Sequence, residues 1–389
     1  FIDSETRRKI GEYYTPLWLV ELMIKQIEEM GVSFKDSVIL DPFCGSGTFL
    51  VMSFYKKVSE GKDPNNALLE VIGFDLNPLA VSIARAELFI AYLRSISNVK
   101  DIRSPLIFHA DTIEPFVTLA GHLLSTSSAG SIPFKELNEV RELIDEFLNK
   151  YAIKKVDKNT FRELPLLEMR LSYTLKEACR SIKRRNKRDE CVKEHIQAMI
   201  KPEYFQDPLI KELVSFLAKD IVDKFSSSIG KLIEEYGNGV WASPLVSLLA
   251  LSIATNPKVR YDIIITNPPW LQITKHRAPY AEELRRVANS LIEQTIGRNE
   301  NVIMGSDLAS MTLYYWMQHA KKAVGFVMPR EACFYHKTAQ RAGQILTYAI
   351  IKRFENDLDH VKMIDLNYDA FKHGNLPSIL LMKKGGHKQ

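Results

Sequence analysis

The sequence predicts an α/β fold built on a mostly parallel β-sheet, and three observations support this prediction. Short apolar runs of strand length recur along the 389 residues and alternate with segments of helical period. Several of these runs end in an acid or an amide at the point where the chain turns into a loop, as strands of an open α/β sheet do at their ligand-binding edge. The hydrophobic fraction of 46% and the charged fraction of 25% are ordinary for a globular protein. Counting the runs gives seven strands, with an antiparallel hairpin at one edge.

The first predicted strand leads into a glycine-rich turn. Residues 37–41 form an apolar run that ends at Asp41, Gly45 and Gly47 lie in the turn, and residues 49–58 have helical spacing. This order is typical of the ligand-binding first crossover of an α/β sheet. The turn lacks the Gly-Lys-Ser/Thr of a phosphate loop and the three-glycine spacing of a dinucleotide site. The glycines let a ligand approach the backbone, and Asp41 offers an anionic partner for a cationic ligand.

The next two predicted strands also end in acids. Residues 71–75 end at Asp75, and residues 106–111 end at Asp111. An acid after the second strand is placed to bind ribose hydroxyls, while Asp111 would accept a hydrogen bond from an adenine amine. The alternative for Asp75 is a stabilising charge at a helix N-terminus, but Asn77, followed by proline, is better placed to cap that helix.

The fourth predicted strand, residues 261–266, runs into Asn267, Pro268, Pro269 and Trp270. The two prolines have no N–H to donate and hold the backbone rigid. An amide, a free carbonyl and an aromatic plane would then converge, which suits a flat heterocycle bearing an exocyclic amine. The alternative is a turn that ends the strand, with the tryptophan in the core.

These motifs, taken in order, resemble those of amino-methylating DNA methyltransferases. The resemblance rests on residues 11–16, which contain Tyr-Thr-Pro, on residues 41–49, on Asp75 and Asp111, and on residues 267–270. Their order is similar to the gamma arrangement of adenine-N6 enzymes, which includes type I modification subunits and the methylase portions of fused restriction-modification proteins. The resemblance implies a Rossmann-like methyltransferase sheet and S-adenosyl-L-methionine as cofactor.

The resemblance also implies roles for individual residues. Those implied to bind the cofactor are Tyr14, Thr15, Pro16, Asp41, Phe43, Gly45, Gly47, Asp75 and Asp111. Asn267, Pro268, Pro269 and Trp270 would be catalytic, with Trp270 stacking on the flipped target base. The family more often has Tyr or Phe at that last position. Since Trp270 has no phenolic hydroxyl, a role for that group is excluded here. Phe371 matches an aromatic that covers the other face of the base, although core packing also explains it.

The predicted chemistry is direct transfer without a covalent intermediate. The methyl group of S-adenosylmethionine is already activated, so the protein must mainly align the amine and exclude water. The four cysteines are consistent with this, because none follows a proline as in a cytosine-C5 enzyme. The target lies inside a duplex, so base flipping is expected.

Residues 113–259 do not belong to a minimal sheet of this kind. They separate two parts of the predicted core, so the chain has three parts. We predict residues 1–112 as the cofactor half of the core, 113–259 as a helical insertion, and 260–389 as the catalytic half that takes the target base. Helical periods occur at 134–150, 166–184, 190–201, 208–236 and 244–255. The insertion carries a basic run made up of Arg180, Lys183, Arg184, Arg185, Lys187 and Arg188. These side chains would contact DNA phosphates, unless they form only a solvated helix face.

Composition indicates which kind of partner the protein binds and in which cellular compartment it works. A net charge of +5 and a pI near 8.8 fit double-stranded DNA as partner. The scattered cysteines have no metal spacing and indicate a reducing cytoplasm, and no apolar run is long enough to cross a bilayer. No target-recognition domain follows the last predicted strands. Site specificity would therefore come from such a domain outside this sequence, from a specificity or restriction subunit, or from the insertion.

Three other functions stay open. The first is cytosine-N4 methylation of DNA, which needs the same Asn-Pro-Pro-aromatic site. The second is methylation of RNA or of a protein glutamine by that site, and the leading Tyr-Thr-Pro element argues against it. A non-catalytic DNA-binding subunit is the third, although Asp41, Asn267 and the aromatic at position 270 are all present.

Overall fold

The computed structural model describes twelve stretches of the chain and divides it into two compact units. The described stretches are residues 15–97, 102–113, 142–143, 146–147, 158–185, 187–236, 241–256, 258–271, 281–297, 308–334, 341–366 and 376–385. The first unit comprises Phe1–Ile107, Asp111–Gly130 and Arg260–Gln389. The second comprises Phe108–Ala110 and Ser131–Val259.

In the described residues a single sheet of seven strands organises the fold. The strands are β1 (Ile39–Asp41), β2 (Val71–Asp75), β3 (Leu106–His109), β4 (Tyr261–Thr266), β5 (Ala320–Pro329), β6 (Leu358–Asp365) and β7 (Pro377–Lys384). Their order is β3-β2-β1-β4-β5-β7-β6. β7 is antiparallel to β5 and β6, whereas β1 is parallel to β2 and β4. The prediction of a mostly parallel seven-stranded sheet with an antiparallel edge hairpin is confirmed.

The register of the central strands aligns their carboxyl ends. Leu40 lies opposite Ile72 of β2 on one side and Ile264 of β4 on the other. β1 therefore lies where the strand order reverses, between the strand that follows it in the chain and one far downstream. Ligands of open α/β sheets bind at this position, in the crevice outside the strand ends.

Among the residues that the structure describes, four helices accompany the first three strands. They are α1 (Leu17–Glu29), α2 (Thr48–Ser59), α3 (Pro64–Leu68) and α4 (Pro78–Ser95). α4 begins as the sequence predicts, because the Asn77 side chain accepts hydrogen bonds from the backbone N–H groups of Leu79 and Ala80. Pro78 then occupies the first helical position, where a missing N–H costs nothing.

A buried lysine of α2 ties that helix to the amino end of the sheet. The Lys57 Nζ donates to the backbone oxygens of Phe34, Lys35 and Ser37 and lies 2.8 Å from Glu70 Oε2. Burial lowers the pKa of this amine, and the hydrogen bond and charge of Glu70 oppose that effect. The ammonium thus exchanges its water shell for four protein acceptors.

The longer segment of the second unit, Ser131–Val259, is helical in its described part. It contains α5 (Lys158–Arg185), α6 (Arg188–Met199), a 3₁₀ turn (Pro202–Tyr204), α7 (Pro208–Ser215), a π turn (Phe216–Asp220), α8 (Val222–Tyr236) and α9 (Ala242–Ala254). The period over residues 208–236 predicts one helix. The structure instead has two, α7 and α8, separated by the π turn and Ile221. The helix predicted over residues 134–150 lies almost wholly outside the described residues.

The last third of the chain returns to the first unit and completes it. Its helices are α10 (Ala281–Ile296), α11 (Leu308–Met317), α12 (Arg330–Cys333) and α13 (Arg341–Arg353), followed by a 3₁₀ turn (Glu355–Asp357). At the carboxyl ends of β5 and β6, the Arg330 guanidinium donates to both carboxylate oxygens of Asp365, from Nε at 2.9 Å and from Nη2 at 2.7 Å. This ion pair fixes the edge hairpin to the end of β5.

Candidate active site

Asp41, the last residue of β1, is a buried carboxylate with one oxygen occupied and one not. Its Oδ1 accepts hydrogen bonds from the Thr266 hydroxyl at 2.6 Å and from the Phe43 backbone N–H at 3.1 Å. Its Oδ2 is buried and has no hydrogen-bond partner among the residues that the structure describes. Burial raises the pKa of Asp41 to about 7, the two hydrogen bonds lower it, and the nearby Asp75 adds to the rise. A buried acid of this kind favours a cationic ligand, whose charge would offset the cost of ionisation.

The glycine turn after β1 uses its two glycines differently. Gly45 has φ +52° and Gly47 has φ +89°, both in the left-handed region. A Cβ on Gly47 would lie 2.9 Å from the Cβ of Ala84, so this position must be glycine for α2 to pack against α4. A Cβ on Gly45 would meet nothing within 4 Å. Open space at Gly45 leaves the backbone accessible to a ligand.

Asp75, at the end of β2, organises the turn. Its Oδ2 accepts from the Gly45 N–H and its Oδ1 from the Asn77 N–H, both at 2.8 Å. Each carboxylate oxygen can accept further hydrogen bonds, so ribose binding is compatible with this arrangement and stays a prediction.

The chain just beyond β3 closes against the same turn. Asp111 Oδ1 accepts from the Ile113 N–H at 2.9 Å, which forms a tight local turn. Thr112 donates from its hydroxyl to the Pro42 carbonyl at 2.8 Å. Asp41 at the end of β1 and Asp75 at the end of β2 therefore border one glycine turn, and Asp111, just after β3, is next to a residue that contacts this turn. Sequence reasoning missed Thr112, because its role depends on where the third strand lies in the sheet.

Asn267 lies directly after β4 and makes contact with the amino-terminal motif. Its Nδ2 donates to the Thr15 hydroxyl at 3.2 Å. An amide that donates from Nδ2 offers Oδ1 as its acceptor, which is the group that an incoming amine needs. Pro16, next to Thr15, precedes α1 with an extended backbone, and Tyr14 lies outside the described residues. The structure thus brings together two motifs that are about 250 residues apart in the chain.

Trp270 is only 7% exposed, and its indole N–H donates to the Val327 carbonyl of β5 at 3.2 Å. Burial of this degree agrees with the alternative of a core tryptophan. A stacking role depends on the part of the ring that remains exposed. The other residue assigned to the target base, Phe371, lies outside the described residues.

The basic run of the second unit is partly neutralised. Arg180 pairs with Glu177, Lys187 pairs with Glu190 at 2.6 Å, and Arg188 pairs with Asp189 and Glu234. Lys183 and Arg184 are exposed on α5, and the side chain of Arg185 is not among those described. Three of the six cations thus have acidic neighbours, as in a solvated helix face, and DNA contact by the others stays a prediction.

Thr266 is a site residue that sequence reasoning missed. It is the last residue of β4, it is buried, and its hydroxyl donates to Asp41. The available signal was a polar residue that closes an apolar run directly before Asn267. That signal has meaning only once β4 is known to lie beside β1.

The described residues fit a cofactor with a cationic group and an adenosine part. The buried Oδ2 of Asp41 has no partner in the described part of the chain, the approach to Gly45 is open, and Asp75 lies at the end of the neighbouring strand. The sheet order defines the fold class as a Rossmann-like α/β protein, and the glycine turn lies at its switch point, where sheets of this class bind ligands.

Comparison with known proteins shows which family the amino-terminal third of the chain resembles. Residues 2–124 match the model of the N-6 DNA Methylase family. An 88-residue stretch is 36% identical to the methylase subunit of the type I restriction enzyme MjaIX of Methanocaldococcus jannaschii. That stretch is 22% of this chain and 14% of the relative. The resemblance to adenine-N6 DNA methyltransferases of type I systems, which the motifs predict, is confirmed.

Solved structures of restriction-modification proteins are similar to this chain at low identity. One is a nuclease-deletion mutant of the Type ISP restriction-modification enzyme LlaGI in complex with a DNA substrate mimic, with TM-score 0.49, 13% identity and coverage of 96% of this chain and 23% of that one. Another is a modification subunit of a putative type I restriction enzyme from Vibrio vulnificus YJ016, with TM-score 0.42, 12% identity and coverage of 98% and 47%. The chain spans less than half of each of these proteins.

Within the described stretches, none of the helices combines the length and the apolar character needed to cross a bilayer.

Proposed function

We propose that this chain transfers the methyl group of S-adenosylmethionine to the exocyclic N6 amine of adenine in DNA. One observation carries the proposal: Asn267 directly follows Thr266 at the end of β4, and the Thr266 hydroxyl donates to Asp41 at the end of the neighbouring strand β1. The match of residues 2–124 to the N-6 DNA Methylase family supports both the reaction and the acceptor.

The cofactor would be bound by the glycine turn and the three acids around it. The Oδ2 of Asp41 would accept from the ammonium group of the methionine part, and Gly45 would let that part approach the backbone. Asp75 would bind the ribose hydroxyls and Asp111 the adenine amine. Thr15 and Pro16 would lie beside the methionine end, as the resemblance to the family implies.

Methyl transfer would depend on positioning and on hydrogen-bond acceptors. S-adenosylmethionine supplies a methyl group that its positively charged sulfur already activates. The adenine amine is a poor nucleophile, because its lone pair is delocalised into the ring. Asn267 Oδ1 and the Pro268 carbonyl would accept its two hydrogens, favour a pyramidal nitrogen and stabilise the positive charge that develops. The backbone from Asn267 to Pro269 holds these acceptors rigidly, because two consecutive prolines restrict it.

The DNA partner would be a duplex from which the target adenine is flipped. The exposed edge of Trp270 would contact the base, and Lys183 and Arg184 would contact phosphates. The LlaGI structure named above contains a DNA substrate mimic. A role in a restriction-modification system, with a specificity subunit or recognition domain supplying the target sequence, follows from the resemblance to type I methylase subunits.

The test is methyl transfer from labelled S-adenosylmethionine to unmodified duplex DNA, with digestion to nucleosides. We expect label in N6-methyladenine, and a loss of at least about 100-fold in Asn267→Ala, which removes one transition-state acceptor. Asn66→Ala is the matched control, since Asn66 is an exposed asparagine of α3. Cofactor binding should persist in both variants.

The other outcomes separate the alternatives. Label in N4-methylcytosine would keep the mechanism and change the base. Label in RNA or in a protein glutamine, with none in DNA, would overturn the DNA assignment. Retained DNA binding without cofactor binding would favour the non-catalytic subunit.

A further inference from the structure

We propose that Thr266 is a positioning residue that couples the cofactor acid Asp41 to the catalytic amide of Asn267. The inference rests on the proposed function and adds to it a residue for which the sequence motifs predict no role. Through Thr266, the acid that binds the cofactor on β1 and the amide that positions the amine after β4 would be held in a fixed relative position.

The first observation is the geometry of the hydroxyl. Thr266 Oγ1 donates to Asp41 Oδ1 at 2.6 Å, and both residues are 0% exposed. Since Phe43 N–H donates to the same oxygen, Oδ1 has two donors. The cofactor cation is therefore directed to Oδ2. Removing the hydroxyl would leave Oδ1 with one donor and the carboxylate less firmly oriented.

The second observation is electrostatic. Only the ionised carboxylate attracts a cation, and burial favours its neutral form. Asp75 faces Asp41 and opposes ionisation, while the adjacent Cys44 is a neutral thiol, because burial and the two acids raise its pKa. The Arg85 guanidinium acts on Cys44 and is not among the groups that shift Asp41. The hydrogen bonds from Thr266 and Phe43 are what lower the pKa of Asp41.

The third observation is the direct link to Asn267. Thr266 is the chain neighbour of Asn267, whose Nδ2 is held by Thr15. Pro268 restricts the backbone of the residue before it, so rotation at Asn267 could absorb little of a shift at Thr266 and the amide would move with it. A displacement of about 1 Å at a reacting group is enough to cost a large fraction of the rate.

The experiment compares Thr266→Val, Thr266→Ser and Thr266→Ala. Valine keeps the shape and the strand preference without the hydroxyl, and serine restores the hydroxyl. The dissociation constant of S-adenosylhomocysteine, which keeps the ammonium group, is measured by calorimetry between pH 5.5 and 8. The rate of DNA methylation is measured at saturating S-adenosylmethionine. Thermal melting of each variant checks its fold.

We expect wild-type affinity to rise with pH and to level off above about 7, where Asp41 is ionised. In the valine variant the levelling-off should move to higher pH, and for a shift of one pH unit binding should be about fivefold weaker at pH 7 and about tenfold weaker well below it. The rate at saturating cofactor should also fall. Serine should restore both properties. Asp41→Asn should abolish the pH dependence.

The outcomes that overturn the inference differ from those that overturn the proposed function. If wild-type protein binds S-adenosylhomocysteine and the valine variant has the same pH profile and saturated rate, Thr266 has no positioning role. If the Thr266→Val variant does not fold, the comparison of Thr266→Ser with Thr266→Ala tests the role of the hydroxyl, because these two variants differ only in that group. If wild-type protein does not bind S-adenosylhomocysteine at all, the proposed function fails.

Discussion

Replacing Asp41 by asparagine should stabilise the ligand-free protein at pH 8 while it weakens cofactor binding. The reason is that the buried acid has its pKa raised from an ordinary 3.8 to about 7. Between these values the folded protein binds a proton that the unfolded chain does not. The free energy of unfolding of the wild type therefore falls as pH rises from about 4 to about 7, and it stays low above that. Asparagine carries no such cost.

The magnitude follows from the interval between the two pKa values. An interval of about three pH units corresponds to about 4 kcal/mol, and this is an upper bound. We expect a gain of about 2–4 kcal/mol for Asp41→Asn at pH 8 and almost none near pH 4. Asn Oδ1 still accepts from Thr266 and Phe43, so the local hydrogen bonds are kept.

The assay is urea unfolding followed by tryptophan fluorescence at pH 5 and pH 8. The four tryptophans include one in the second unit, Trp241, so a Trp241→Phe background leaves Trp18, Trp270 and Trp316 of the first unit as reporters. Calorimetry with S-adenosylhomocysteine provides the binding readout. The reasoning is refuted if Asp41→Asn is less stable than the wild type at pH 8, or if the difference between them is the same at both values of pH.

Three further changes are measured by the same unfolding assay, two in the glycine turn and one at the amino end of the sheet. Gly47→Ala should cost about 1–3 kcal/mol, because the added Cβ strains a left-handed residue and meets Ala84 at 2.9 Å. Gly45→Ala should lower the free energy of unfolding only by the backbone strain, about 1 kcal/mol. It should lower the free energy of cofactor binding by more than this amount. Equal stability losses at the two glycines would contradict this. Lys57→Met should cost about 3–5 kcal/mol, since it leaves the nearly buried Glu70 without its closest cation. A loss below 1 kcal/mol would show that water replaces the ammonium, and Lys57→Met/Glu70→Gln should recover part of the stability.

The strand ends of the site could be predicted because parallel strands finish at the same edge. Residues 71–75 were predicted as a strand and form β2, and Asp41 closes β1 as expected. The pairing of Thr266 with Asp41 could not be predicted, because these residues are 225 positions apart. Periodicity reports which residues face a core, but it does not report which strands are neighbours.

The prediction of one helix over residues 208–236 was wrong because of a local change in helix geometry, not because of distant strand pairing. Apolar residues at 209, 213, 217, 221 and 225 keep a spacing of four, and such a stripe predicts one continuous helix. The π turn accommodates residues 216–220 with a different hydrogen-bond step, so the chain bends while the stripe continues. Some ion pairs of the basic run were local, such as Arg180 with Glu177 on one turn of α5. The pair of Arg188 with Glu234 joins two helices and depends on the tertiary fold.

The position of β4 next to β1 affects how the chain can be synthesised. β1, β2 and β3 are complete by residue 109, but the other neighbour of β1 begins only at residue 261. At about 5–20 residues per second, a ribosome needs roughly 8–30 s to make the intervening chain. During that time the unpaired edge of β1 is a template for foreign strands. With only three residues, β1 is a short strand, which limits that risk until β4 arrives.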